Sequence, residues 1–220
     1  MHENMKKSVN EIFDRLFFNY PELADCKEDI INTFKTLVGC YERSGKVLIC
    51  GNGGSAADSE HIVGELMKGF ILKREIPLKD KEKIKAVFPE DADYLAGNLQ
   101  RALPAISLVS QTSLSTAYIN DIAADMVYAQ QVYGYAHEGD VLIGISTSGN
   151  ASNVVNAVKI AKVFGIKTIG ITGKSGGILK KLCDITIRVP AEETFRIQEY
   201  HLPVYHALCA AVEQEFFGKE

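Results

Sequence analysis

Apolar positions along the chain fall into two rhythms. Between residues 5 and 44, Val9, Ile12, Phe13, Leu16 and Phe17, then Ile30, Ile31, Phe34, Leu37 and Val38, recur at helical spacing. Two helices are expected there, broken by Tyr20-Pro21-Glu22 and closed by Gly45. Their stripes read as core or subunit interface. From Lys46 the pattern becomes short continuous runs rich in Ile, Val and Leu, at 46–51, 105–110, 141–146, 168–173 and 185–190. Helical stretches at 55–70, about 116–133, 151–164 and 194–217 separate or follow these runs. Apolar strands alternating with helices predict a parallel sheet covered on both faces, an α/β doubly wound sandwich. Ligands of such a sheet bind beyond the carboxyl ends of its strands.

Residues 71–104 break the rhythm. They carry mixed charge and three prolines, and they are too long for an ordinary connection. A surface excursion with a short helix near Ala92–Leu103 is expected; a lid or an arm onto a neighbouring subunit is the alternative.

Composition narrows the function classes. At 220 residues and 46% apolar content, a single domain over 1–220 is expected. A net charge of −4 and a pI near 5.8 argue against a nucleic-acid partner. The five cysteines are scattered without a Cys-x-x-Cys pair, which predicts free thiols in a reducing compartment. No apolar run suits a membrane span or a signal peptide, so a cytoplasmic protein without membrane contact is expected.

Candidate chemistry gathers at two strand ends. Gly-Asn-Gly-Gly-Ser (51–55) follows the first strand and Ser-Thr-Ser-Gly-Asn (146–150) follows the third. Both turns emerge at one sheet edge and feed helices, whose free N–H groups favour an anion. Ser146, Thr147 and Ser148 add neutral hydroxyl donors, which suits a sugar phosphate. His61 and Glu65 stand four apart and share one helical face. Gln198 and His206 lie eight apart, about 12 Å along an unbroken helix. That separation is too great for one ion unless Pro203, between them, distorts the helix. Imidazole, carboxylate and amide donors together suit zinc or another borderline divalent ion. His201 reads as core or as a neighbour of the site, and His137 and His2 as surface turns.

The runs GNGGSAADSEH with Glu65, GISTSGNxxNV, TGxxGG and RIQExH together resemble the sugar isomerase (SIS) domain, and within it the phosphoheptose isomerases. The resemblance covers residues 5–217 apart from 71–104. It implies an aldose–ketose isomerase that interconverts sedoheptulose 7-phosphate and D-glycero-D-manno-heptose 7-phosphate. It implies zinc on His61, Glu65, Gln198 and His206, with Glu65 as base and His206 as its acid/base counterpart. Asp121 falls at the family's active-site aspartate, for sugar hydroxyls or proton shuttling. Asn52, Gly53, Ser55, Ser146, Thr147, Ser148, Asn150 and Gln198 fall to substrate binding. A homotetramer with sites between subunits is implied as well.

The chain departs from the family pattern at three places. Ala151 stands where a further serine is usual, and Phe195 where an acidic residue is common. The stretch before Asp121 is longer than usual and needs a gap in the alignment. The alternatives are an isomerase of another ketose or aldose phosphate, such as arabinose 5-phosphate, and two non-catalytic relatives. One is the replication regulator that binds DnaA, which lacks the last histidine; His206 favours the enzyme. The other is a phosphosugar sensor beside a helix-turn-helix domain, for which residues 1–44 are too short and too acidic.

Overall fold

The five apolar runs become five strands in a computed structural model that describes residues 5–218. They are β1 (Val47–Gly51), β2 (Ala105–Ser107), β3 (Val141–Ile145), β4 (Lys167–Thr172) and β5 (Ile185–Arg188). All pairings are parallel, in the order β2-β1-β3-β4-β5. Successive residues of β1 alternate between the two faces of the sheet: Val47 and Ile49 join one core cluster, Leu48 and Cys50 the other.

The first face is covered by α1 (Lys7–Asn19), α2 (Lys27–Glu42), α3 (Gly54–Met67) and the long last helix, numbered α10 (Thr194–Phe217). A 3₁₀ turn at Pro21–Cys26 separates α1 from α2. Val9, Phe13 and Leu16 of α1 are buried, and Phe13 meets Phe34 of α2 edge to face at 5.5 Å. The terminal helix pair is therefore part of the core. Burying each such side chain stabilises the fold by roughly 1.5–3 kcal/mol. Gly45 does not supply the left-handed residue that ends α2; Ser44 does, at φ 60°. Gly45 is needed for space, because a Cβ there would strike the Gly139 carbonyl and the Cys40 sulfur.

The excursion at 71–104 holds two helices where one was expected, α4 (Leu78–Val87) and α5 (Ala92–Asn98). α4 buries no residue, so no apolar stripe announced it. α5 stops at Asn98, short of Leu103, and Gln100 pairs with Glu75 in an antiparallel bridge. Leu78, Val87, Phe88 and Tyr94 are exposed.

The second face carries α7 (Val127–Tyr135), α8 (Ser152–Val163) and the short α9 (Leu179–Leu182). The helix expected near 116–133 is two: α6 (Thr112–Asp121) ends before an extended Ala123, and a 3₁₀ turn leads into α7. α7 buries five residues, whereas α6 buries none and reaches the core only through the partly buried Tyr118. The turn at Ala123 is what brings Val127 and Tyr128 inward.

All five cysteines are free, and Cys26, Cys40, Cys50 and Cys209 are buried. Among the described residues no helix is long and apolar enough to cross a membrane. His2 lies outside the described residues.

Candidate active site

In the strand order found here, β1 and β3 are neighbours with Gly51 opposite Ile145. The chain runs outward from β1 to β2 on one side and from β3 to β5 on the other. Their shared carboxyl edge is thus the switch point of the sheet, where open α/β sheets bind ligands. The two glycine turns leave the sheet side by side there.

Each turn opens a helix without a side-chain cap on it. Gly53 precedes α3 at φ 57°, and Ala151 precedes α8. Ser55 and Ser146 are buried at the edge, while Ser148 and Asn150 are exposed. The Asn150 N–H donates to the Ser148 hydroxyl (3.2 Å), which leaves that hydroxyl's proton free to donate outward. The Asn150 side chain donates to the Ser148 carbonyl (3.1 Å) and accepts from the Ile178 N–H (2.9 Å), so it shapes the loop. Gly149, Gly176 and Gly177 all have positive φ, and a Cβ on Gly149 would meet the Gly176 carbonyl. The second turn therefore packs directly against the glycine pair of the third motif. Thr147, Ser148, Asn150, Gly173 and Lys174 line a cleft of about 490 Å³.

Three residues at this edge were not anticipated. Asn52 and Asn153 exchange two side-chain hydrogen bonds of 2.9 Å, tying the first turn to the start of α8. Tyr128 donates to the Gly51 carbonyl at 2.7 Å. Lys174 adds a cation to a cleft expected to hold only neutral donors; its ammonium stands 3.5 Å from Glu192. Asn153 lies within a motif quoted above, but its residue type gave no hint of its partner.

A second cluster lies where α3 faces α10. His61 Nε2 is 3.2 Å from Glu65 Oε1, as their four-residue spacing requires. The His206 ring stands 5.0 Å from that of His61, centroid to centroid, at 84°. Glu65 Oε2 and His206 Nε2 are buried without a hydrogen-bond partner, although the Lys68 ammonium approaches Glu65 Oε2 to 3.5 Å. Burial, and then the neighbouring His61, hold the His206 imidazole below its ordinary pKa, so its lone pair is available. Burial raises the nearby Asp58 carboxyl, against the opposing effects of Tyr205 and His61.

The structure brings together three of the four expected metal ligands. Gln198 stands apart on α10, where its amide fills the space that a Cβ on Gly54 would need. α10 continues through Pro203, so the two-turn gap between Gln198 and His206 is kept. Among the described residues no three His, Cys, Asp or Glu side chains are grouped closely enough to hold an ion as they stand. The donor set still fits a borderline divalent ion, with two imidazoles, one carboxylate, and orphaned atoms on Glu65 and His206. Asp121 is exposed at the end of α6, with the Asn120 amide bonded to it at 2.8 Å. His137 lies in a loop, where its N–H donates to Asp140 at 2.7 Å.

A buried ion pair joins the two helices of this cluster. Arg74 Nε donates to Glu213 Oε1 at 2.7 Å, both side chains being almost fully enclosed. The same guanidinium donates to the Leu66 and Glu65 carbonyls at the end of α3 (2.6 and 3.0 Å). The Glu213 carboxylate also accepts from the N–H groups of Phe70, Ile71 and Leu72. Glu213 follows His206 by seven residues, on the same face of α10. Nothing local in the sequence announces this pair, which spans 139 residues.

Comparison with known proteins places this architecture. The SIS domain model matches residues 110–213. The phosphoheptose isomerase of Clostridium acetobutylicum is 42% identical over 88% of this chain and 85% of its own. That of a Nitratiruptor species is 45% identical over 78% of each. The solved structure of a phosphoheptose isomerase from Francisella tularensis superposes with a TM-score of 0.73 at 30% identity, covering 94% of this chain and 96% of that one.

Proposed function

The chain belongs to the phosphoheptose isomerase family and is a phosphosugar isomerase, and we propose that it interconverts sedoheptulose 7-phosphate and D-glycero-D-manno-heptose 7-phosphate. The observation that carries this reading is the presence of two unlike half-sites in one chain. One is the cleft at 146–150, lined by hydroxyls and by Lys174; the other is the His61–Glu65–His206 cluster between α3 and α10. A sugar phosphate has the same polarity, with an anion at one end and a reactive carbonyl at the other.

In this reading the turns at 51–55 and 146–150 hold the phosphate, with Ser55, Ser146, Thr147 and Ser148 as donors. The Asn52–Asn153 pair keeps the two turns in register. Glu65 removes a proton from C1 of the ketose and returns it at C2, through an enediolate. His206, held neutral, exchanges the hydroxyl proton between O1 and O2. His61, Glu65, His206 and Gln198 would hold a zinc ion, which would supply an electrophile for the developing enediolate. Gln198 has to leave its place against Gly54 to join the other three. Asp121 and the exposed apolar side chains of α4 to α6 belong to contacts between subunits of a homotetramer that complete each site. The free thiols support a reducing, cytoplasmic setting.

Incubation with sedoheptulose 7-phosphate in deuterium oxide tests the reaction. The aldose is expected to form with deuterium at C2. A folded protein that forms no aldose and exchanges no carbon-bound proton would overturn the assignment.

A further inference from the structure

Tyr205 sits beside His206 on α10, yet its hydroxyl serves the opposite helix. Its oxygen lies 3.1 Å from His61 Nδ1 and 3.2 Å from Asp58 Oδ1. The tyrosine is 2% exposed, and its ring meets both histidine rings edge to face, at 5.5 Å for His61 and 5.0 Å for His206. The His61 side chain is 42% exposed, so solvent-side packing does not fix its orientation.

Hydrogen-bond inventory settles the direction of this chain. An ionised carboxylate accepts only, so the single phenolic proton points to Asp58. The phenolic oxygen can then meet His61 only as an acceptor, which requires a proton on Nδ1. We propose that Tyr205, oriented by Asp58, is a positioning residue: it fixes the His61 proton on Nδ1 and turns Nε2 toward Glu65. The acceptor-only Glu65 carboxylate stands 3.2 Å from Nε2, so a proton or a cation has to lie between them, and Nε2 would be the atom that ligates a cation shared with that carboxylate. The use of Nε2 for an ion rests on the isomerase reading; the ring state does not. Outer partners of this kind typically change metal affinity by about 10- to 100-fold.

Tyr205→Phe keeps the ring packing and removes only the hydroxyl. The full-length chain, stripped of metal and labelled with ¹⁵N-histidine, is observed at about pH 8, above the ordinary imidazole range. Nδ1 of His61 is expected to be protonated in the parent, whether or not Nε2 also holds a proton toward Glu65, and to lose its proton in part of the population in Tyr205→Phe. Zinc affinity, read by competition with a chromophoric chelator, is expected to fall at least about tenfold in that variant. Asp58→Ala tests the same chain from its far end, should Tyr205→Phe fail to fold, with the same two outcomes expected. Asp58→Asn keeps an acceptor oxygen and is expected to restore most of the affinity. A parent ring protonated only on Nε2, or Tyr205→Phe with unchanged ring state and zinc affinity, would overturn the proposal. An Nδ1-protonated ring in a chain that takes up no zinc would refute the metal role and leave the Tyr205 assignment standing.

Discussion

The two half-sites along α3 differ in how far the chain alone completes them. At the 51–55 and 146–150 turns the amide side chains are tied within the protein, Asn52 to Asn153 and Asn150 to Ile178 and Ser148, and Tyr128 holds Gly51. At the α3–α10 cluster the reverse holds, for Glu65 Oε2, His206 Nε2 and Asp58 Oδ2 are buried and unpaired. A buried polar atom without a partner costs about 1–3 kcal/mol. The first region is a pre-shaped cradle built from backbone and neutral side chains. The second is a set of donors that leaves buried atoms without hydrogen-bond partners.

Substitutions can break that contrast, and the largest effect is expected at the chemistry. Glu65→Gln removes the base and should reduce turnover by about 10²–10⁴-fold with normal folding, measured as initial rate of aldose formation. Retained turnover would assign the base elsewhere.

Next come the supports of the α3–α10 cluster. Arg74→Met leaves the Glu213 carboxylate enclosed and without its cation, and it frees the Glu65 and Leu66 carbonyls. Denaturant unfolding should show a loss of about 3–5 kcal/mol. A loss under 1 kcal/mol would mean that water or Lys68 takes over.

The buried His201 gives the acid limit of the fold. Neither ring nitrogen completes a hydrogen bond of good geometry, and burial, opposed by the Thr172 backbone, pushes its pKa down to about 4. The folded state therefore favours the neutral ring, while the unfolded chain takes up a proton in the ordinary range near 6.5. Stability from this residue is fully present above about pH 6.5 and is lost as pH falls toward 4, by about 3 kcal/mol in all. His201→Leu should flatten that slope in denaturant titrations; an unchanged slope would place the acid sensitivity elsewhere.

The smallest effect is expected in the cradle. Asn52→Ala removes both bonds to Asn153 and should cost about 1 kcal/mol of stability, with a rise in KM and little change in kcat. A fall in kcat instead would show that the first turn acts on the chemistry itself.

Much of this was legible in the chain itself, for identifiable reasons. Helix α10 begins and ends where its apolar spacing predicts, and the five strands lie within their apolar runs, β4 one residue early, because burial of both sheet faces leaves a dense signal. α4 was invisible because it buries nothing, and the break at Ala123 because the apolar spacing continues across it. His61 and Glu65 were legible because a four-residue spacing fixes their geometry. Tyr205, Asp58, Arg74 and Glu213 were not, since each takes its role from a partner on a distant element. The strand order, which sets the two glycine turns side by side, is likewise a property of the folded chain.

In the proposed reaction the α3–α10 cluster works with a bound ion while the glycine turns need none. The direct test is turnover of sedoheptulose 7-phosphate by the purified protein before chelation, after it, and after zinc is restored. Activity that disappears with the chelator and returns with zinc, while the fold and phosphate-ligand binding persist throughout, is the predicted result. Turnover indifferent to chelation would contradict it.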